Sequence, residues 1–340
     1  MSALNFVETG DNRAPAGGEI RMLQTADGVA IRTAFWPARE GKKAGTILIL
    51  QGRAEFLEKY FEVVDELLER GFAVVAFDWR GQGRSGRSLA DGRKGHVRHF
   101  DDFRHDLEAV RTQVLDPLGP AALHVLAHSM GGCIALIGAA EGWLRADRMV
   151  VTTPMIALSI VRHRKLVGML ASLLSFFRLG GRFVPGGRPD SISTEPFEGN
   201  RLSRDERRYA RNAAVAALMG EAAIGSPTIG WLRSAYAAMA KLEAPGYASR
   251  VRIPTLMVGA GDDPVCSTAV IEMFGQALGP ESRYLLIPEA RHEVLMESDA
   301  IRQQFWTAFD AFVSGNRGEP SAVKPLEDVA VQHAVAAGHD

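Results

Sequence analysis

Ser129 lies in Leu123-His-Val-Leu-Ala-His-Ser-Met-Gly-Gly132, an apolar run that enters a turn of small residues and leaves it as a helical pattern. A strand turning sharply into a helix presents its serine hydroxyl at the turn, and the backbones approach so closely that the positions two before and two after must be small. Ala127 and Gly131 meet that need. A serine hydroxyl is a weak nucleophile at neutral pH, so it requires a base within hydrogen-bond reach and a third group that holds the base in one tautomer. An acid and then a histidine follow in the chain. Thr255-Leu-Met-Val-Gly-Ala-Gly-Asp-Asp-Pro264 places Asp262 and Asp263 after an apolar run, and Leu285-Leu-Ile-Pro-Glu-Ala-Arg-His292 places His292 after the next. Both acids satisfy the spacing; Asp263 is preferred, which leaves Asp262 as a loop residue.

Acyl transfer also needs donors aimed at the oxyanion, usually the amide after the nucleophile and one from the loop after an early strand. Met130 supplies the first. Leu50-Gln-Gly-Arg-Ala-Glu55 supplies the second, with Gly52 allowing a tight turn and the Arg53 amide as candidate; the Arg53 side chain could equally meet an anionic head group or be a surface charge. Gly81-Gln-Gly-Arg-Ser-Gly86 fits the spacing of a dinucleotide fingerprint, but a loop follows it instead of a helix, so it is read as a tight loop bordering the site. His96, His99 and His105 lack metal-ligand spacing, and His128 beside the serine is read as packing support.

These residues require a scaffold that brings distant strand ends together. Short β-rich runs at 46–50, 72–77, 123–127 and 149–153 alternate with helical patterns at 55–70, 100–115 and 130–142. The runs are nearly continuous in apolar residues, as expected of a parallel sheet covered on both faces. From 154 to 250 the chain is helix-prone without a convincing strand, and alternation returns at 253–258, 267–278, 284–287 and 301–313. The expected organisation is a doubly wound core over 20–153 and 251–315, an inserted helical cap over 154–250, and a frayed tail over 316–340.

A net charge of -1, from 39 Lys and Arg against 40 Asp and Glu, gives no electrostatic footprint for nucleic acid. The 2 cysteines, Cys133 and Cys266, cannot staple a secreted scaffold, and the first 20 residues lack the basic start and apolar run of a signal peptide. A cytoplasmic protein is expected. The longest apolar stretch, 166–177, is well short of the roughly 20 residues that span a bilayer. Its flanks carry Arg162, Arg164, Lys165, Arg178 and Arg182, so it suits a cap helix on the core, an acyl-chain wall, or peripheral contact with an anionic inner membrane face.

Ile49-Leu-Gln-Gly-Arg-Ala-Glu55, Phe77-Asp-Trp-Arg-Gly-Gln-Gly-Arg-Ser-Gly86, Ala127-His-Ser-Met-Gly-Gly132, Asp263-Pro-Val-Cys266 and Ala290-Arg-His-Glu-Val-Leu295 together resemble the bacterial lysophospholipase and monoacylglycerol lipase group of α/β-hydrolases. The resemblance covers about 20–315. It implies the α/β-hydrolase fold and hydrolysis of one acyl ester on a glycerol backbone, with no cofactor and no metal. It places Ser129, Asp263 and His292 on the triad positions and Arg53 and Met130 on the oxyanion positions. The chain departs from the pattern at Gln51, where many relatives have His, and at Ala127, where the turn has Gly. Both departures bear on substrate choice more than on mechanism. The alternatives are an esterase or peptidase of the same fold, or a non-catalytic binding protein that kept the scaffold.

Overall fold

The computed structural model of the chain describes residues 4–40, 44–119, 121–159, 161 and 164–313. Arg162 and the 316–340 tail lie outside the described residues. Eight strands, β1 (Glu19–Gln24), β2 (Ala30–Trp36), β3 (Gly45–Leu50), β4 (Phe72–Phe77), β5 (Leu123–His128), β6 (Arg148–Thr152), β7 (Thr255–Ala260) and β8 (Arg283–Ile287), form one sheet in the order β1-β2-β4-β3-β5-β6-β7-β8. From β4 to β8 all neighbours are parallel, whereas β1 and β2 are antiparallel to their neighbours at one edge. Mostly parallel, with helices in the crossovers, this is the α/β-hydrolase architecture.

The sequence pattern missed β1 and β2. β1 is an edge strand with little buried surface, so it carries no apolar run, yet Asp27-Gly28 marks its hairpin, with Gly28 at φ 83° and the Thr25 hydroxyl bonded to Asp27.

The apolar runs are continuous because alternate residues serve two cores. Leu48, Leu50, Val75, Phe77, Val125 and Val151 face one side, which α2 (Phe103–Val110), α3 (Met130–Glu141) and α7 (Thr268–Gln276) cover. Ile47, Ile49, Val74, Ala76, Leu126 and Val150 face the other, covered by α1 (Phe61–Glu69) and α8 (Asp299–Val313). Between β6 and β7 lie α4 (Arg164–Phe176), α5 (Glu206–Met219) and α6 (Ile229–Leu242), and α6 packs on α3. Among the described residues no helix is long and apolar enough to cross a membrane.

One charged cluster is sealed at the edge of the sheet. Arg32 on β2 meets Glu58 at 2.6 Å and Asp78 at 3.3 Å, all three side chains fully buried. Asp78 also accepts from the Leu57 and Arg84 amides, tying the loop after β4 to the turn before α1. Removing one member of a buried ion cluster leaves the others uncompensated. Arg32→Met is therefore expected to cost about 3–5 kcal/mol in urea unfolding, whereas Arg111→Met, which breaks an exposed pair with Glu108, should change little. Equal unfolding midpoints for the two variants would show that the cluster does not hold this edge together.

Candidate active site

Ser129 sits between β5 and α3 with φ 49° and ψ -112°, a backbone state that L-residues rarely adopt. Its amide donates to the Thr152 carbonyl at 3.1 Å, and its carbonyl accepts from the Cys133 and Met155 amides at 3.0 Å each. A side chain at Gly131 would collide with the Leu50 and Gln51 carbonyls, so a glycine two residues after the serine is a steric requirement here. Ala127 is fully buried, and its methyl is accommodated on β5.

Asp263 follows β7 and His292 follows β8. The tight path from β7 needs Gly261, where a side chain would strike the Pro288 carbonyl. His292 Nε2 lies 2.9 Å from Ser129 Oγ, and His292 Nδ1 lies 2.8 Å from Asp263 Oδ2. A carboxylate only accepts, so Nδ1 carries the proton and Nε2 is left to accept from the serine hydroxyl. The other Asp263 oxygen is held by the Val265 and Cys266 amides at 2.8 and 3.0 Å. Asp262 instead turns out to Arg204 at 2.5 Å. Burial works against a charge on His292, but the Asp263 charge and hydrogen bond, aided by Glu293 and Glu55, raise its pKa above the ordinary histidine value.

His128, read in the sequence as packing support, lies on the cavity beside His292. Its ring lies 5.0 Å from that of His292, its Nδ1 is within reach of the Thr152 and Thr153 hydroxyls, and burial pushes its pKa down to about 3, so it stays neutral. Thr153, with φ 42°, donates its hydroxyl to the His292 carbonyl at 2.8 Å and thereby fixes the loop that carries the imidazole.

The loop after β3 is braced from two sides. Gly52 donates to Glu55 Oε2 at 2.5 Å, and Ala54, at φ 61°, donates to Gln82 Oε1 at 3.2 Å. Gln82 Nε2 returns bonds to the Gly52 and Glu55 carbonyls at 2.8 and 3.2 Å. The glycine-spaced loop after β4 therefore serves as a buttress, and Gly83 is needed because any side chain there would enter Asp78. Beneath the loop, Lys59 bridges Glu55 at 2.8 Å and Glu293 at 2.5 Å, and Tyr60 donates to Glu55 at 2.7 Å. The sequence reading did not single out Gln82, Thr153, Lys59 or Glu293. Gln82 lay inside a motif already under consideration, and Lys59 and Glu293 sit among other charged and polar residues, so nothing local marks them.

Among the described residues, the group whose ligand atoms cluster as a metal site would is Asp263, Cys266 and His292, all within 4.8 Å of one another. Asp263 and His292 already satisfy each other. Burial, with the nearby Asp263 charge, pushes the Cys266 thiol well up, away from the thiolate that a metal needs.

The family model described as serine aminopeptidase, S33, matches residues 41–299. Lysophospholipase L2 of Escherichia coli (strain K12) is 34% identical over 267 residues, covering 75% of this chain and 76% of that protein. Monoacylglycerol lipase of Mycolicibacterium smegmatis is 25% identical, covering 75% and 83%. In fold, the chain is similar to a soluble variant of monoglyceride lipase from Saccharomyces cerevisiae bound to a substrate analog, with a TM-score of 0.67 at 20% identity over 88% of this chain and 96% of that one. A match over most of the chain, on a sheet of this topology, means that the chain belongs to the S33 family of α/β-hydrolases.

Proposed function

We propose that the chain is a serine hydrolase that removes one acyl chain from a glycerol-based lipid, a lysophospholipid or a monoacylglycerol, through an acyl-enzyme. The observation that carries the proposal is the Ser129–His292–Asp263 chain of hydrogen bonds at 2.9 and 2.8 Å, bordering a cavity of about 410 Å³ walled by Met155, Leu158, Val184, Trp231, Leu232 and Val265. Ser129 Oγ attacks the ester carbonyl carbon while His292 Nε2 takes its proton, and Asp263 stabilises the imidazolium. The Arg53 and Met130 amides hold the oxyanion; the amides flanking Arg53 are both engaged, by Glu55 and Gln82. His292 then protonates the departing alcohol. Water, deprotonated by the same imidazole, attacks the acyl-serine and releases the fatty acid and the free hydroxyl.

Residues 154–250 act as a cap on a core of 20–153 and 251–315, because they supply Trp231, Leu232 and Val184 to the apolar wall. A peptidase of the same family would have to receive a charged amino terminus. The carboxylates on this cavity, Glu55 and Glu293, are already shared by Lys59, which favours the lipid ester. The helix α4 turns much of its apolar surface outward, with Phe176 and Phe177 80% and 63% exposed and the exposed Arg178 and Arg182 close behind. An apolar face with a basic end suits contact with an anionic bilayer, from which such a substrate would come.

Four measurements test this reading. A fluorophosphonate probe should label the wild type and fail on Ser129→Ala, and a panel of lysophospholipids, monoacylglycerols, short esters and aminoacyl amides should release product from the first two classes above all; preferential cleavage of the amides would transfer the chain to the peptidases. Because the base acts only when neutral, kcat/KM for an uncharged ester should rise with pH through a midpoint above the ordinary histidine range and then level off. Asp263→Asn should move that midpoint down and lower the plateau on the order of 10³–10⁴-fold, and an unmoved midpoint would contradict the assigned role of Asp263. In liposome flotation, binding should require anionic lipid and weaken in a Phe176→Ser, Phe177→Ser, Arg178→Gln variant; no difference between the two proteins removes α4 as the contact.

A further inference from the structure

Among the described residues, the four buried arginines are matched by carboxylates. Arg32 meets Glu58 and Asp78; Arg80 meets Asp27 and Asp106; Arg208 meets Glu62, Asp205 and Asp299; Arg302 meets Glu62 and Glu66. Arg53, half-buried on the cavity beside Ser129, has no such match. One of its N–H groups donates to the Gly225 carbonyl at 2.6 Å, and its guanidinium lies 5.0 Å over the Trp231 ring. Its Nε is enclosed without a hydrogen-bond partner, and no carboxylate among the described residues comes within ion-pair distance. Desolvation without a counter-charge draws its pKa down to about 10, which still leaves it a cation at neutral pH.

The acids on the same cavity do not answer this charge. Glu55 and Glu293 both face Lys59, and Glu55 additionally accepts from Gly52 and Tyr60. A second cation, the exposed Arg201, also borders the cavity and has no carboxylate partner among the described residues. The cavity thus combines an apolar wall with positive charge left unmatched among the described residues. Withdrawing a cation from water is unfavourable unless an anion meets it, so the arrangement favours a ligand that brings its own. A guanidinium with its plane set by an aromatic face and a carbonyl presents a fork that suits phosphate oxygens better than a neutral hydroxyl.

We propose that Arg53 binds the phosphate of the leaving group, so that the site selects a phosphate-bearing glycerol ester over a neutral one. This rests on the lipid-ester reading of the same site, and it places two tasks on one residue: the backbone amide faces the oxyanion while the side chain recognises the head group. The contact is a specificity determinant and takes no part in proton transfer.

Competitive inhibition isolates the anion site from lipid turnover. With p-nitrophenyl butyrate as reporter, sn-glycerol 3-phosphate should inhibit the wild type at lower concentration than glycerol does. Arg53→Gln should raise the Ki for sn-glycerol 3-phosphate by about tenfold or more relative to that for glycerol, as expected for loss of a charge-assisted contact, with Arg53→Lys between the two. The kcat/KM ratio of lysophosphatidic acid to monoacylglycerol should fall in the same order, and Arg53→Lys carries the comparison should Arg53→Gln fail to fold. A wild type that binds sn-glycerol 3-phosphate no better than glycerol, or variants that change both Ki values by one factor, would overturn the assignment. If the wild type cleaves no lysophospholipid while Arg53 still governs the Ki for sn-glycerol 3-phosphate, the anion site stands and the lysophospholipid reading falls.

Discussion

The site depends on a backbone conformation that a free peptide would leave. Holding a non-glycine residue such as Ser129 at φ 49° and ψ -112° costs on the order of 1–3 kcal/mol, so the surroundings must over-determine it. They do so through the sheet. Leu50 pairs with Ala127 across β3 and β5, which sets the end of β3 against the turn, and Gly131 lets the two backbones close to contact. The Thr152 carbonyl holds the serine amide, and the Cys133 and Met155 amides hold its carbonyl. The same packing fixes the loop after β3 relative to the serine, so one constraint places both the hydroxyl and the loop beside it.

Charge placement around this turn follows a division of labour. The Arg32 cluster lies away from the cavity and locks loops together. Lys59 lies beside the cavity and is shared by Glu55 and Glu293, two acids that themselves help raise the His292 pKa, so its charge offsets part of their pull on the imidazole. Asp263 achieves its orienting contact with one oxygen because backbone amides occupy the other. A carboxylate anchored at one end and aimed at the other fixes the tautomer without needing to move.

Much of this was legible in the residue order. The parallel strands announced themselves because both of their faces are buried, and Ser129, Asp263 and His292 stood out because each follows an apolar run and carries a group that acyl transfer can use. The hairpin of β1 and β2 was not: Glu19–Gln24 is an edge strand that carries no apolar run, and Arg32 interrupts the buried, β-rich Ala30–Trp36. Gln82 was hidden by its motif: glycines at that spacing suggest a phosphate cradle, and only the fold shows that the glutamine between them braces residues 52–55. Thr153 gave no signal at all, because a positive φ at a threonine is imposed by tertiary contacts that local sequence does not contain.

Specificity resists sequence reading for a related reason. The cavity walls come from segments far apart in the chain, and helical periodicity in 154–250 identifies helices without saying which face closes over Ser129. The departures at Gln51 and Ala127 illustrate the difference. Both are fully buried, and neither side chain lines the cavity, although Gln51 is a polar residue at a buried position and Ala127 alters the serine turn. The sequence leaves the Arg53 side chain equally a head-group contact or a surface charge, and its surroundings appear only when Trp231 and Gly225, more than 170 residues on, are found against its guanidinium. The three residues of the hydrogen-bonded chain each follow a recognisable strand, whereas the contacts around Arg53 join elements whose meeting the residue order does not reveal.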